Sequence, residues 1–145
     1  MKRICIRAVV VLAVALGTGP AIGAEWFTVT GDLNDSGTDT VQIDLSDLSK
    51  LNTDRVIRLR VNLAQPRKLG PSEQFTSYES NVFVECSTGS VFHIDQKRYE
   101  QALWRGKSTS QIFEDSRPMA FGGLDPNPKS RILKGACSPS ASSMN

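Results

Sequence analysis

Residues 55–63 read RVIRLRVNL, and their alternation constrains the fold more than any other feature of the chain. Ile57, Leu59, Val61 and Leu63 fall on one side, Arg58, Arg60 and Asn62 on the other. A period of two belongs to a strand, because successive side chains leave a pleated backbone in opposite directions. One polar and one apolar side imply one wet face and one buried face, which suits an antiparallel sheet. VQIDL at 41–45 repeats the pattern, with Val41, Ile43 and Leu45 opposed to Gln42 and Asp44. FTSYESNVFVEC at 75–86 puts Val82, Val84 and Cys86 on one side, and VFHID returns after the short turn STGS. Trp26, Phe27 and Val29 give the stretch after Glu25 strand character as well.

The intervening segments are read by their breakers. GDLNDSGTDT at 31–40 is dense in turn formers. SDLSKLNTD at 46–54 reads as a polar connector with room for one helical turn. Pro66, Gly70 and Pro71 make 64–74 a loop. Residues 96–108 fit a strand or a short helix equally, through Tyr99, Leu103 and Trp104. DPNPKSRILKGAC at 125–137 reads as a helix, with Asn127 as cap and Pro128 at the first helical position. Leu133 and Cys137, four apart, share its inner face. The pattern predicts a single α+β domain over 25–137, without internal repeats.

The first 24 residues carry Lys2, Arg3 and Arg7, then the unbroken apolar run Ala8–Leu16, then Gly17, Gly19 and Pro20 and a small-residue exit at Gly23 and Ala24. That order is a secretory signal peptide. The run is too short for a membrane span, which needs about 20 residues, and Cys5 precedes it, where a lipid-anchor cysteine would follow it. The expected mature chain therefore starts near Glu25 as an exported protein, periplasmic, surface-bound or secreted, with no membrane span. The segment holds three of the 17 cations and none of the 15 acids, so the remainder carries 14 cations against 15 acids, or −1. The sequence pI of 8.5 is thus a property of the leader and not a nucleic-acid footprint. SPSASSMN at 138–145 is expected to be a disordered polar tail.

Two cysteines, Cys86 and Cys137, follow the leader. An even count in an oxidising compartment argues for a disulfide. It would close 51 residues and, by chain entropy, contribute about 4 kcal/mol. That bond would staple the last helix to the sheet. A catalytic thiol would need a base, and the only histidine is His93, seven residues on. If the two lie on paired strands they are neighbours, so that dyad stays open as an alternative. Two cysteines and one histidine fall short of a zinc site.

The search for chemistry returns little. Asp32, Asn34, Ser36 and Gly37 suggest a calcium loop, but the twelfth position is Ile43 instead of an acid. No phosphate loop, paired-acid or Ser-His-Asp arrangement is present, so neither catalysis nor a cofactor or metal is expected. Arg58 and Arg60 form a basic stripe, either solvated alternation or a docking surface for an acidic protein partner. Trp104 beside Arg105 is either a core tryptophan or an exposed binding anchor.

Taken together, EWFTV, VQIDLSDLSKLNTDRVIRLRVNL, SNVFVEC, a Tyr- and Trp-containing segment ending WRGK, and PKSRILKGAC resemble the surface-adhesin protein E family of exported proteobacterial proteins. Trp26, Asp44, Cys86 and Cys137 stand at its motif positions. The resemblance implies an antiparallel sheet of about six strands, a C-terminal helix disulfide-bonded to it, and homodimerisation. It also implies binding of host extracellular-matrix and plasma proteins. The rival functions are a structural envelope component, and a small periplasmic enzyme or inhibitor using the Cys86/His93 region.

Overall fold

In the computed structural model, residues 23–51, 54–115 and 117–138 are described. The leader and the polar tail expected from the sequence lie outside them, apart from residues 23, 24 and 138. Among the described residues seven strands and one helix follow one another: β1 (Trp26–Thr30), β2 (Thr40–Leu51), β3 (Asp54–Lys68), β4 (Gln74–Glu85), β5 (Ser90–His93), β6 (Asp95–Gln101), β7 (Arg105–Ile112) and α1 (Lys129–Ala136). All pairings are antiparallel, in the order β1-β2-β3-β4-β6-β7, with β5 folded against β4. The expected α+β class holds, and the count of about six strands becomes seven.

The alternating residues go where their period sends them. Val41, Ile57, Leu59, Val61, Leu63, Val82, Val84 and Val91 are buried on one face of the sheet. Segment 117–128 and α1 lie over that face. The Ala120 N–H donates to the Val91 carbonyl and the His93 N–H donates to the Pro118 carbonyl, so Ala120, Phe121, Leu124 and Ile132 complete the core. Cys86, with Leu133, Ala136 and Cys137, packs against its rim. The Cys86–Cys137 disulfide is formed across a Cα–Cα distance of 5.5 Å and ties the end of α1 to the end of β4. Arg67 secures the other end of the covering segment. It donates to the Gly122 and Gly123 carbonyls and lies 3.8 Å from Asp39, whose carboxylate accepts the N–H groups of Ala64 and Asp125.

Several local expectations change. Residues 46–51 continue β2 instead of forming a connector with a helical turn, because 48–51 pair with 54–57 of β3 after a break in register. Residues 64–68 continue β3, past Pro66, so the loop shrinks to 69–73. The irregular register between Asn62 and Arg67 accommodates the proline, as bulges do. The ambiguous stretch 96–108 is a hairpin, β6–β7, and not a helix. At α1 the helix begins one residue later than expected, with Pro128 as the cap residue, and the Asn127 side chain accepts the Lys129 N–H as a capping side chain does.

A guanidinium between two indoles on the polar face

The other face of the sheet is less wet than period two alone implies. Gln42, Asp44, Asn62 and Ser77 are buried there, and two tryptophans from distant parts of the chain meet on this face. Register explains the grouping. Cross-strand partners share a face, so the pairs Thr28↔Gln42, Gln42↔Arg60, Arg60↔Glu79, Glu79↔Lys97 and Lys97↔Ser110 draw one polar row across six strands. Within it Arg60 Nε donates to Gln42 Oε1 at 2.7 Å, and Gln42 Nε2 donates to Thr28 Oγ1 at 2.9 Å. Beside it Trp26 is paired with Asp44, and Arg58 with Asn81.

Arg60 is the centre of this face. Its guanidinium carbon lies 4.2 Å from the Trp26 ring centroid and 4.0 Å from that of Trp104. A planar, weakly hydrated cation between two electron-rich faces is a favourable arrangement that lysine cannot reproduce. Arg58 flanks the stack, 5.3 Å from the Trp26 centroid, 3.7 Å from Asp44 and 3.8 Å from Glu79. Burial lowers the Arg60 pKa, and Arg58 adds to that, while Glu79 and Asp44 oppose it. Burial alone would raise the Asp44 carboxyl. Hydrogen bonds from the Ser46 hydroxyl and N–H and the Glu25 N–H, with the Arg58 charge, outweigh it and hold Asp44 below the ordinary 3.8.

Trp104 reaches the stack through a strained turn. Leu103 and Trp104, between β6 and β7, both have positive φ, 56° and 57°. That conformation costs a non-glycine residue about 1–2 kcal/mol. Three bonds offset it: the Leu103 N–H to Asn62 Oδ1 at 2.7 Å, the Trp104 N–H to Ser77 Oγ at 2.9 Å, and Trp104 Nε1 to the Tyr78 carbonyl at 3.2 Å. Backbone strain held by surrounding bonds is a mark of functional positions.

Of the four binding candidates, Arg58, Arg60 and Trp104 come together and Arg105 does not. The last is exposed, and its Nε makes a long bond to the Ala102 carbonyl. The core reading of Trp104 is corrected: it is half-buried on the polar face, against a cation. Arg60 is half-buried, with its guanidinium stacked against both rings instead of standing free in solvent. Trp26, Gln42 and Glu79 were not singled out as site residues. The signal that could have found them is the pairing of Arg60 with both neighbouring strands, which single-strand periodicity does not contain.

The other candidate chemistry is spent on structure. Cys86 carries no thiol, so the Cys86/His93 dyad does not form. His93 lies under the core, edge-on to Tyr78 with centroids 5.9 Å apart, and 2.7 Å from Ser80 Oγ. The Ser80 hydroxyl also reaches the Asn81 and Asp95 carbonyls. Burial, with the Arg98 charge, lowers the His93 pKa to about 4. Both residues are buried, so this Ser–His contact is closed to a substrate. In the supposed calcium loop Asp32 and Asp35 accept bonds from Asn34 and Gly37 within the turn. No group of three metal-ligating side chains exists among the described residues, and no helix there is long and apolar enough to cross a membrane.

The family described as surface-adhesin protein E matches residues 26–138. No curated protein matches the chain. Two solved structures of protein E from Haemophilus influenzae are similar to it. One, from crystal form II, has 14% identity and a TM-score of 0.49 over 86% of this chain and 96% of the other. The second, from a non-typeable strain, has 11% identity and a TM-score of 0.45 over 89% and 91%.

Proposed function

The chain belongs to the surface-adhesin protein E family, and from that premise we propose that it is an exported, non-catalytic envelope protein that binds other proteins through the polar face of its sheet. The single observation that carries the reading is the Trp26–Arg60–Trp104 stack. Tryptophan and arginine are the side chains most enriched at protein-binding hot spots, and here they are pre-organised, so little ordering is left for a partner to impose. Arg58, with its side chain 41% exposed, and the exposed Leu103 extend the surface around the stack.

Export rests on the leader-like order of charge, apolar run and small residues over 1–24 and on the disulfide, which belongs to oxidising compartments. The mature protein starts near Glu25, folds as one domain over 25–137 and resides at the cell surface or in the periplasm. Host matrix or plasma proteins are the partners drawn from the family.

The test is retention at physiological salt. The mature protein is immobilised and offered purified extracellular-matrix proteins, plasma and envelope extract in parallel. Selective retention of a matrix or plasma protein is the expected result, and retention must fall in a Trp104→Ala variant that still unfolds cooperatively. Retention that is unchanged in that variant, or absent from all three sources, overturns the reading. Sedimentation of the same preparation reads the homodimer that the family suggests.

A further inference from the structure

The apolar core is left open on one side. Between α1 and the β1–β2 edge lies a cavity of about 560 Å³, inside the range of roughly 300–1,000 Å³ usual for small-molecule sites. Phe27 pairs with Ile43, so both stand on the side that α1 covers, and Leu45 follows by period. Buried Ile57 and Ile132 line the cavity from the core, while Phe27 is 55% and Leu45 40% exposed at its mouth. The helix wall is a single stripe, since Arg131 and Gly135 are four apart, as are Ile132 and Ala136. Gly135 lacks the positive φ that would call for glycine, and a methyl group there would meet no atom of the neighbouring elements within 4 Å. Alanine would favour the helix more. Glycine at this position keeps the wall open.

One charged side chain lines the cavity. Arg131 Nη1 donates to the Val29 carbonyl at 2.7 Å, which fixes the guanidinium at the edge of the opening. No ion pair among the described residues includes Arg131. On and beside the elements that form the cavity, Lys129 and Lys134 of α1, Lys50 of β2 and Arg55 of β3 stand against Glu25, Asp47 and Asp54, four cations to three acids. Asp54 is engaged by the Cys86 N–H, and Asp44 belongs to the opposite face with Arg58. The charge at the mouth is therefore positive and is concentrated in one group.

We propose that this cavity binds a long-chain fatty acid, with the hydrocarbon chain between α1 and the β1–β2 edge and the carboxylate on Arg131. An apolar wall with one cation at its rim matches an apolar chain with one anion at its end. A peptide is the poorer occupant, because each of its residues brings two polar backbone groups, and Thr28 and Arg131 are the only polar side chains in the lining. A cationic amphiphile would meet Arg131 with like charge. The site lies on the opposite face from the Trp26–Arg60–Trp104 stack and does not depend on the reading of that face.

The probe is dodecanoate, kept below its micelle concentration and titrated into the isotope-labelled mature protein. Binding is expected to shift the Ile57 and Ile132 methyls and the Phe27 and Gly135 amides saturably, and to leave the Trp104 indole unmoved. Gly135→Leu fills the cavity from the helix and should abolish binding without lowering the thermal midpoint. Arg131→Gln should weaken binding about tenfold. Dodecyltrimethylammonium, the same chain with a cationic head, should bind the unaltered protein at least about tenfold more weakly, which keeps the test valid if a variant folds poorly. Equal affinity for the two amphiphiles, or saturable shifts that avoid these four residues, overturns the proposal. So do binding to anionic lipid vesicles with none to monomeric dodecanoate, and a dimer in solution that protects the same residues.

Discussion

The two faces of the sheet come from one alternating pattern and are closed in different ways. On the apolar face Val41, Leu59, Val61, Val82 and Val84 meet Phe121 and Ile132, and a covalent bond from Cys86 to Cys137 fixes the cover. On the polar face Gln42, Asp44, Asn62 and Ser77 are buried beside Trp26 and Trp104, which are held against Arg60 by stacking and, for Trp104, by hydrogen bonds. The first closure is permanent under oxidising conditions. The second consists of groups that recognise proteins equally well when a partner is present. On the function proposed above, one face sets whether the molecule is folded and the other what it meets.

The sharpest way to break this division is to cut the staple. Cys137→Ser should lower the unfolding free energy by about 4 kcal/mol, from the 51-residue loop it releases, as read from denaturant curves. The polar-face stack should survive, reported by unchanged tryptophan emission below the transition. Loss of both together would mean that the faces are not independent.

Acid separates them next. His93, on the apolar side, has its pKa lowered from 6.5 to about 4, so the unfolded chain takes up the proton first. Its contribution is complete above pH 6.5 and is lost as pH falls toward 4, about 3 kcal/mol in all. Asp44, on the polar side, is also lowered, but from 3.8, so its contribution is complete above 3.8 and lost only below that. Stability measured against pH should fall in those two windows, and His93→Gln should flatten the first alone.

Smaller effects sharpen the polar face. Arg60→Ala removes two cation–π contacts and the bond to Gln42, and should cost about 2 kcal/mol with a change in tryptophan emission. Lysine at 60 should recover little of it. Arg58→Ala should cost under about 1 kcal/mol, since its ion pairs at 3.7 and 3.8 Å are long and partly exposed, and the loss should shrink with added salt.

The apolar face was legible in the sequence and most of the polar face was not. Ile57, Leu59, Val61 and Leu63 announce their burial by period, and Cys86 follows Val82 and Val84 to the rim of the same core. The staple was readable from cysteine parity and the compartment. The polar stack depends on register between β1, β2 and β3 and on the left-handed turn at Leu103 and Trp104, where no glycine signals the conformation. Residues 46–51 misled for a related reason: their polarity reads as a connector, while pairing to β3 makes them strand.

The division of labour is tested most directly by comparing two variants for affinity toward whichever purified protein the mature chain retains. Arg58→Ala with Trp104→Ala should weaken that affinity about tenfold or more while leaving most of the unfolding free energy in place. Cys86→Ser with Cys137→Ser, kept at a temperature where it is folded, should bind as the unaltered protein does. The opposite pattern, with binding lost on cutting the staple and kept without Trp104, would contradict the account.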